Sequence, residues 1–168
     1  MTRRWDREVH KEHKNLQARM GALQMVLEKK PHSSKHLEDL SCNILRTLGP
    51  DLELHLRKEE QVLFPALEKI SSEASDEIRT FSRQHEKLRE TVRYLAGLLC
   101  QCENRPDKAD WKEITETSKK FVQLLQEHEG KEEKFLTHVL ESSLKPQELV
   151  RLAQTFRTVA WDAFREEL

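Results

Sequence analysis

Apolar residues recur at intervals of three and four through four long stretches of the chain, and this restricts the fold more than any other feature. The first stretch carries Val9, Leu16, Met20, Leu23 and Leu27, and the second Leu52, Val62, Ala66 and Ile70. The third carries Ile78, Phe81, Leu88, Val92, Leu95 and Leu99, and the fourth Ile114, Phe121, Leu125, Phe135 and Val139. That period places each series on one face of an α-helix and is incompatible with the two-residue alternation of a half-buried strand. Breakers separate the stretches: Pro31 to Ser34, Ser71 to Ser75, Asn104 to Pro106, and Ser142 to Pro146. The spacing predicts helices over about 3–30, 35–71, 75–103 and 107–141, with a shorter amphipathic helix over about 146–165 that packs across the others. Gly49-Pro50 is expected to break or kink the second helix, and Pro65 to kink it again. Four such helices joined by short loops predict an all-α, up-down-up-down four-helix bundle with an additional C-terminal helix. With 168 residues, one domain spans the chain, its metal-binding core at about 5–141.

Each apolar series has gaps, and polar residues fill them. His13 takes the step between Val9 and Leu16, and His85 the step between Phe81 and Leu88. His55 and Glu59 lie between Leu52 and Val62, and His128 and Glu132 between Leu125 and Phe135. A buried carboxylate without a partner costs several kcal/mol. No Lys or Arg occupies these seams nearby, so a bound metal is the economical source of positive charge. In a bundle of alternating direction, at about 1.5 Å per residue, all six residues fall roughly 15–20 Å from the same end. His and Glu four residues apart stack on one helix face and can reach the same ion or adjacent ions. Two carboxylates between two histidine pairs suit a dinuclear centre in which each glutamate bridges both metals. Imidazole and carboxylate donors without thiolate favour iron, manganese or zinc. The order His, then His-x-x-x-Glu, occurs twice, so the chain reads as two helical hairpins.

The motifs EHKNL (12–16), HLRKEEQVLFPAL (55–67), QHEKL (84–88) and HEGKEEKFL (128–136) resemble the hemerythrin-like, or HHE cation-binding, family. The resemblance implies a non-haem di-iron centre in a four-helix bundle. It makes His13, His55, His85 and His128 terminal ligands and Glu59 and Glu132 the bridging carboxylates of two iron ions. Oxygen-carrying members have an additional histidine on the third helix, one turn from its partner; here those positions are Phe81 and Arg89. This moves the expectation towards bacterial relatives associated with O2 or NO sensing, iron handling or iron–sulfur cluster repair. Repair members carry a cysteine-bearing N-terminal segment that this sequence does not show. The expected ligands are O2, NO or peroxide, with a di-iron redox enzyme or iron donor as the alternative function.

The remaining residues give weaker signals. His10, three residues before His13, reads as solvated, with a fifth imidazole ligand as the alternative. His32, His36 and His138 lie outside the layer. Glu60, Glu86 and Glu133 turn away from the seam, though one could hydrogen-bond a ligand imidazole. Tyr94 lies off the seam, and Trp5, Trp111 and Trp161 read as packing residues. Cys42, Cys100 and Cys102 are an odd number without metal-finger spacing and read as reduced thiols of a cytoplasmic protein. The 29 basic and 30 acidic residues give no push towards nucleic acid or anionic membrane. No stretch reaches 18 apolar residues, so no membrane span is expected. The basic start lacks an apolar run behind it, so no signal peptide is expected either. Nothing identifies a protein partner.

Overall fold

A computed structural model of the chain describes residues 4–28, 35–70, 74–104 and 110–165. All of them are helical except Asp110, Leu144 and Lys145. The elements are α1 (Arg4–Glu28), α2 (Lys35–Lys58), a π-helical turn (Glu59–Leu63), α3 (Phe64–Ile70), α4 (Ala74–Asn104), α5 (Trp111–Ser143) and α6 (Pro146–Arg165). His32 and the side chains of Trp5, His36, Cys42, Cys100, Cys102 and Trp161 fall outside the described residues.

Local chemistry sets several helix ends. The Asp110 carboxylate accepts the Glu113 amide at 3.0 Å and caps α5. α6 opens with Pro146, whose missing N–H costs nothing in a first turn, and the Glu148 carboxylate accepts the Lys145 amide at 2.8 Å. The two prolines expected to disturb the second helix are accommodated differently. α2 runs unbroken through Gly49-Pro50 and carries Pro50 inside it. Leu48 and Leu52, on either side, are fully buried, and their packing offsets the lost hydrogen bond. Before Pro65 the chain adopts the π turn, closed by the Phe64 amide on the Glu59 carbonyl five residues back. A widened turn relieves the clash between a proline ring and the preceding turn. Its extra residue leaves Val62, Leu63 and Phe64 all buried in succession.

α1 packs against α2 and α5, and α4 packs against the same two, so the four long helices form a closed bundle. Paired residues run in opposite numerical sense in each contact. Arg19 meets Asp51 at 2.8 Å while His13 meets His55, and Arg89 meets Glu53 while His85 meets Glu60. Gln17 likewise meets Glu129 while His10 meets Glu133. Helix α6 lies across α1, α2 and the π turn, burying Leu149, Ala153 and Phe156.

The core is divided in two. One apolar cluster, centred on Leu23, Leu52, Leu95 and Phe121, fills the half towards the end of α4 and the start of α5. The other, centred on Phe64, Leu67, Phe81, Leu140 and Phe156, fills the opposite half under α6. In the last turns of α5 the deeper residues are Leu136 and Leu140, with Phe135 and Val139 only partly buried. Each fully buried Leu or Phe contributes about 1.5–3 kcal/mol. Between the two clusters lies a buried polar layer.

Candidate metal centre

The polar layer contains all six residues singled out from the seams: His13, His55, Glu59, His85, His128 and Glu132. Every one is 3% exposed or less. One facing atom from each of His13, His55, Glu59 and Glu132 lies within 4.8 Å of the others, and the same holds for Glu59, His85 and His128. Glu59 belongs to both groups. The two hairpins repeat their geometry: the His13 and His55 rings sit 4.7 Å apart at 80°, and those of His85 and His128 sit 4.7 Å apart at 81°.

The carboxylates are aimed between the histidine pairs. Glu59 Oε1 lies 2.8 Å from His55 Nε2 and 3.8 Å from His13 Nε2. Its other oxygen lies 3.2 Å from His85 Nε2 and 3.9 Å from His128 Nε2. Glu132 Oε2 stands 3.5 Å from His13 Nε2 and 3.6 Å from His128 Nε2, reaching one histidine of each pair. The shorter of these approaches are not aligned as hydrogen bonds and the rest are too long, so all four oxygens of Glu59 and Glu132 are buried without a hydrogen-bond partner. Orphaned carboxylate oxygens beside four imidazole nitrogens form a group that could hold a metal ion.

The outer ring nitrogens fix this orientation. His55 Nδ1 meets Glu12 Oε2 at 3.0 Å, His85 Nδ1 meets Glu60 Oε1 at 2.8 Å, and His128 Nδ1 meets Gln84 Oε1 at 3.0 Å. With Nδ1–H donating outward, the Nε2 lone pair is turned inward, as a metal ligand requires. Glu12 is held in turn by the buried Lys58 ammonium. Arg89 clamps Glu60 through two contacts of 2.8 and 3.0 Å and Glu53 at 2.7 Å.

Of the weaker sequence signals, Glu60 holds the His85 imidazole of the layer, while Glu86 is exposed. His10 stays outside the layer, half-exposed beside Glu133 at 3.2 Å; His138 and Tyr94 are exposed. Glu12, Gln84, Lys58 and Arg89 were not foreseen. Glu12 and Gln84 each directly precede a histidine of the layer, in EHKNL and QHEKL, and each holds the second histidine of its own hairpin. The repeat carried that signal. The buried Glu129, which accepts from Gln17 at 2.6 Å, had none.

Without a cation, protons compensate the carboxylates. Burial disfavours the charged His13 ring, yet Glu132 and Glu59 beside it raise its pKa to about 9. Burial is likewise outweighed at His85, which Glu59 and Glu60 raise to about 9. Burial also opposes charging of His55, but Glu59 and Glu12 lift it well above its ordinary value. The charged His55 and the other imidazoles outweigh burial at Glu59 and hold it well below the carboxylate range. A raised folded-state pKa gives stability that is complete below the unfolded value and disappears as pH climbs through the folded one. Metal-stripped protein is therefore expected to lose stability as pH rises from 6.5 to about 9. The Glu59 contribution disappears at the acid end, as pH falls below 4.5. Thermal melts in excess chelator check this; an unchanged midpoint between pH 6.5 and 9 would show that the rings are not charged. Added cation displaces the protons and shifts the balance towards higher pH.

A helical bundle with a buried histidine–carboxylate layer at mid-height defines a cation-binding protein. The hemerythrin HHE cation binding domain matches residues 6–134, and the chain belongs to that family. No curated protein matches the chain.

Proposed function

We infer that the chain holds two iron ions in a carboxylate-bridged centre and binds O2 or NO there, for sensing, scavenging or storage. His13, His55, His85 and His128 are the terminal ligands, Glu59 and Glu132 the bridges, in an up-down-up-down bundle that acts as one domain. The observation that carries this reading is Glu59, whose two oxygens each face a different histidine pair. Manganese or zinc satisfies the same donors, but only a redox-active metal serves a diatomic ligand.

A di-iron centre supplies electrons and open coordination positions for such a ligand. The protein supplies the surroundings. Glu12, Glu60 and Gln84 hold three imidazoles in the tautomer that presents Nε2. Glu59 and Glu132 offset part of the cationic charge inside a layer that the two apolar clusters shield from water. Phe81 and Arg89 flank His85 by one turn, where an oxygen carrier has a further histidine, so fewer protein donors compete with an incoming ligand. Peroxide is a further small ligand on this reading. We place the protein in the cytoplasm; among the described residues no helix is long and apolar enough to cross a membrane.

The test is the absorption spectrum of protein loaded with ferrous iron under anaerobic conditions, then exposed separately to air and to NO. The expected result is new near-ultraviolet and visible charge-transfer bands that fade when the gas is removed. Permanent bands with turnover of peroxide would favour a redox enzyme instead. A spectrum silent to both gases would overturn the reading and leave an ion that only staples helices.

A further inference from the structure

The two histidine pairs share a geometry but not a setting. His85 and His128 are walled by aromatic rings: Phe64 stacks on His85 at 5.3 Å, and the edge of Phe81 meets His128 at 5.8 Å. Behind them Glu60 is locked by the two-toothed Arg89. Both imidazoles have a side-chain acceptor on Nδ1.

On the side of His13 and His55 a surface cleft of about 290 Å³ between α1 and α2 reaches the pair at His55, with Glu12, Asn15, Arg19 and Asp51 on its walls. Glu12, at its inner end, holds His55 on one oxygen and Lys58 on the other. Lys58 in turn sits over the Phe156 ring of α6, 5.4 Å from its centroid. Support for His13 departs from the repeat. Glu60 follows Glu59 and holds His85 of the opposite hairpin; the corresponding Glu133 follows Glu132 but turns to the half-exposed His10.

We propose that the two cation positions are kinetically unequal: the ion at His13 and His55 exchanges through the α1–α2 cleft, while the ion at His85 and His128 is retained. The inference rests on the dinuclear reading. The exchanging species is a hydrated divalent cation, met in the cleft by the Glu12 carboxylate, with no change of oxidation state. Such a chain keeps one ion as a fixed structural partner and can hand the other to an oxygen- or nitrogen-donor acceptor.

The experiment loads the full chain anaerobically with ferrous iron, counts the ions, and follows release to a colour-forming ferrous chelator. Two phases of equal amplitude are expected, the faster belonging to His13 and His55. Glu12→Gln and Lys58→Met should each speed only the fast phase, about 10–100-fold, the range for loss of a group that orients a metal-bound histidine. Asn15→Trp, an exposed position on the cleft wall, should slow the same phase and leave the ion count unchanged. Phe64→Leu should speed only the slow phase. Release in one phase would overturn the proposal, as would a fast phase that answers to Phe64→Leu but not to Asn15→Trp. Fewer than two ions per chain would instead overturn the dinuclear reading, and the proposal with it.

Discussion

Glu59→Gln is expected to abolish binding of the second ion and to weaken the first by roughly 10²–10³-fold. Glu59 is fully buried, and each of its oxygens faces one histidine pair. Glutamine preserves the shape but removes the charge, and turns an amide nitrogen, which cannot donate a lone pair, towards one of the pairs. Leaving a buried charge without its counter-charge costs about 3–5 kcal/mol, which sets the loss of affinity. The effect on the metal-stripped protein has a different origin. There the glutamate is one of the partners that raise His13, His55 and His85, beside Glu132, Glu12 and Glu60, so the variant should lose part of the stability advantage that the parent shows at pH 6 over pH 9. Metal analysis after dialysis, with melts at the two pH values, reads both effects. Two ions retained at parental affinity would remove Glu59 from the bridging role.

The distinction between ligands and their supports also explains which residues were legible in the sequence. A histidine or glutamate inside an apolar period, such as Glu132 between Leu125 and Phe135, breaks a pattern that burial energy enforces, and needs a compensating partner. The six residues of the layer were found for that reason. Glu12, Gln84 and Arg89 lie off the apolar stripe, where polar residues are ordinary, so their position beside a histidine carries no cost that the sequence would betray. Their partners come from other helices, and only the Glu12-His13 and Gln84-His85 repeat hinted at them. The helices themselves were legible because their period is sustained over many turns. The run of α2 through residue 50 was included in that period, but whether Gly49-Pro50 would break it was not legible, since that depends on Leu48 and Leu52 packing against neighbours distant in sequence. The π turn was half legible: Pro65 announced a disturbance, but the need to bury Val62, Leu63 and Phe64 together decided its form.

Phe81→Ala is expected to cost about 3–5 kcal/mol, the range for truncating a buried aromatic ring, and to lower the melting midpoint by roughly 10 °C for a domain of this size. Phe81 is 1% exposed. Its ring lies 6.2 Å from Phe64, 5.5 Å from Phe135 and 5.8 Å from His128. It therefore joins α3, α4 and α5 in the apolar cluster under α6 and also forms part of the wall of the histidine–carboxylate layer. Removing it leaves a void between long helices that cannot close by moving one side chain, which places the cost high in that range. The donors remain: Glu60 and Gln84 still orient His85 and His128, so the ion count should stay at two. The void does admit water to the His128 side, so release of the retained ion should accelerate together with the drop in midpoint. Calorimetry on the loaded and metal-stripped variant separates the two consequences. A midpoint within 3 °C of the parent would mean that the cluster collapses onto the vacated space. A lost ion would mean that the ring, rather than Gln84, positions His128.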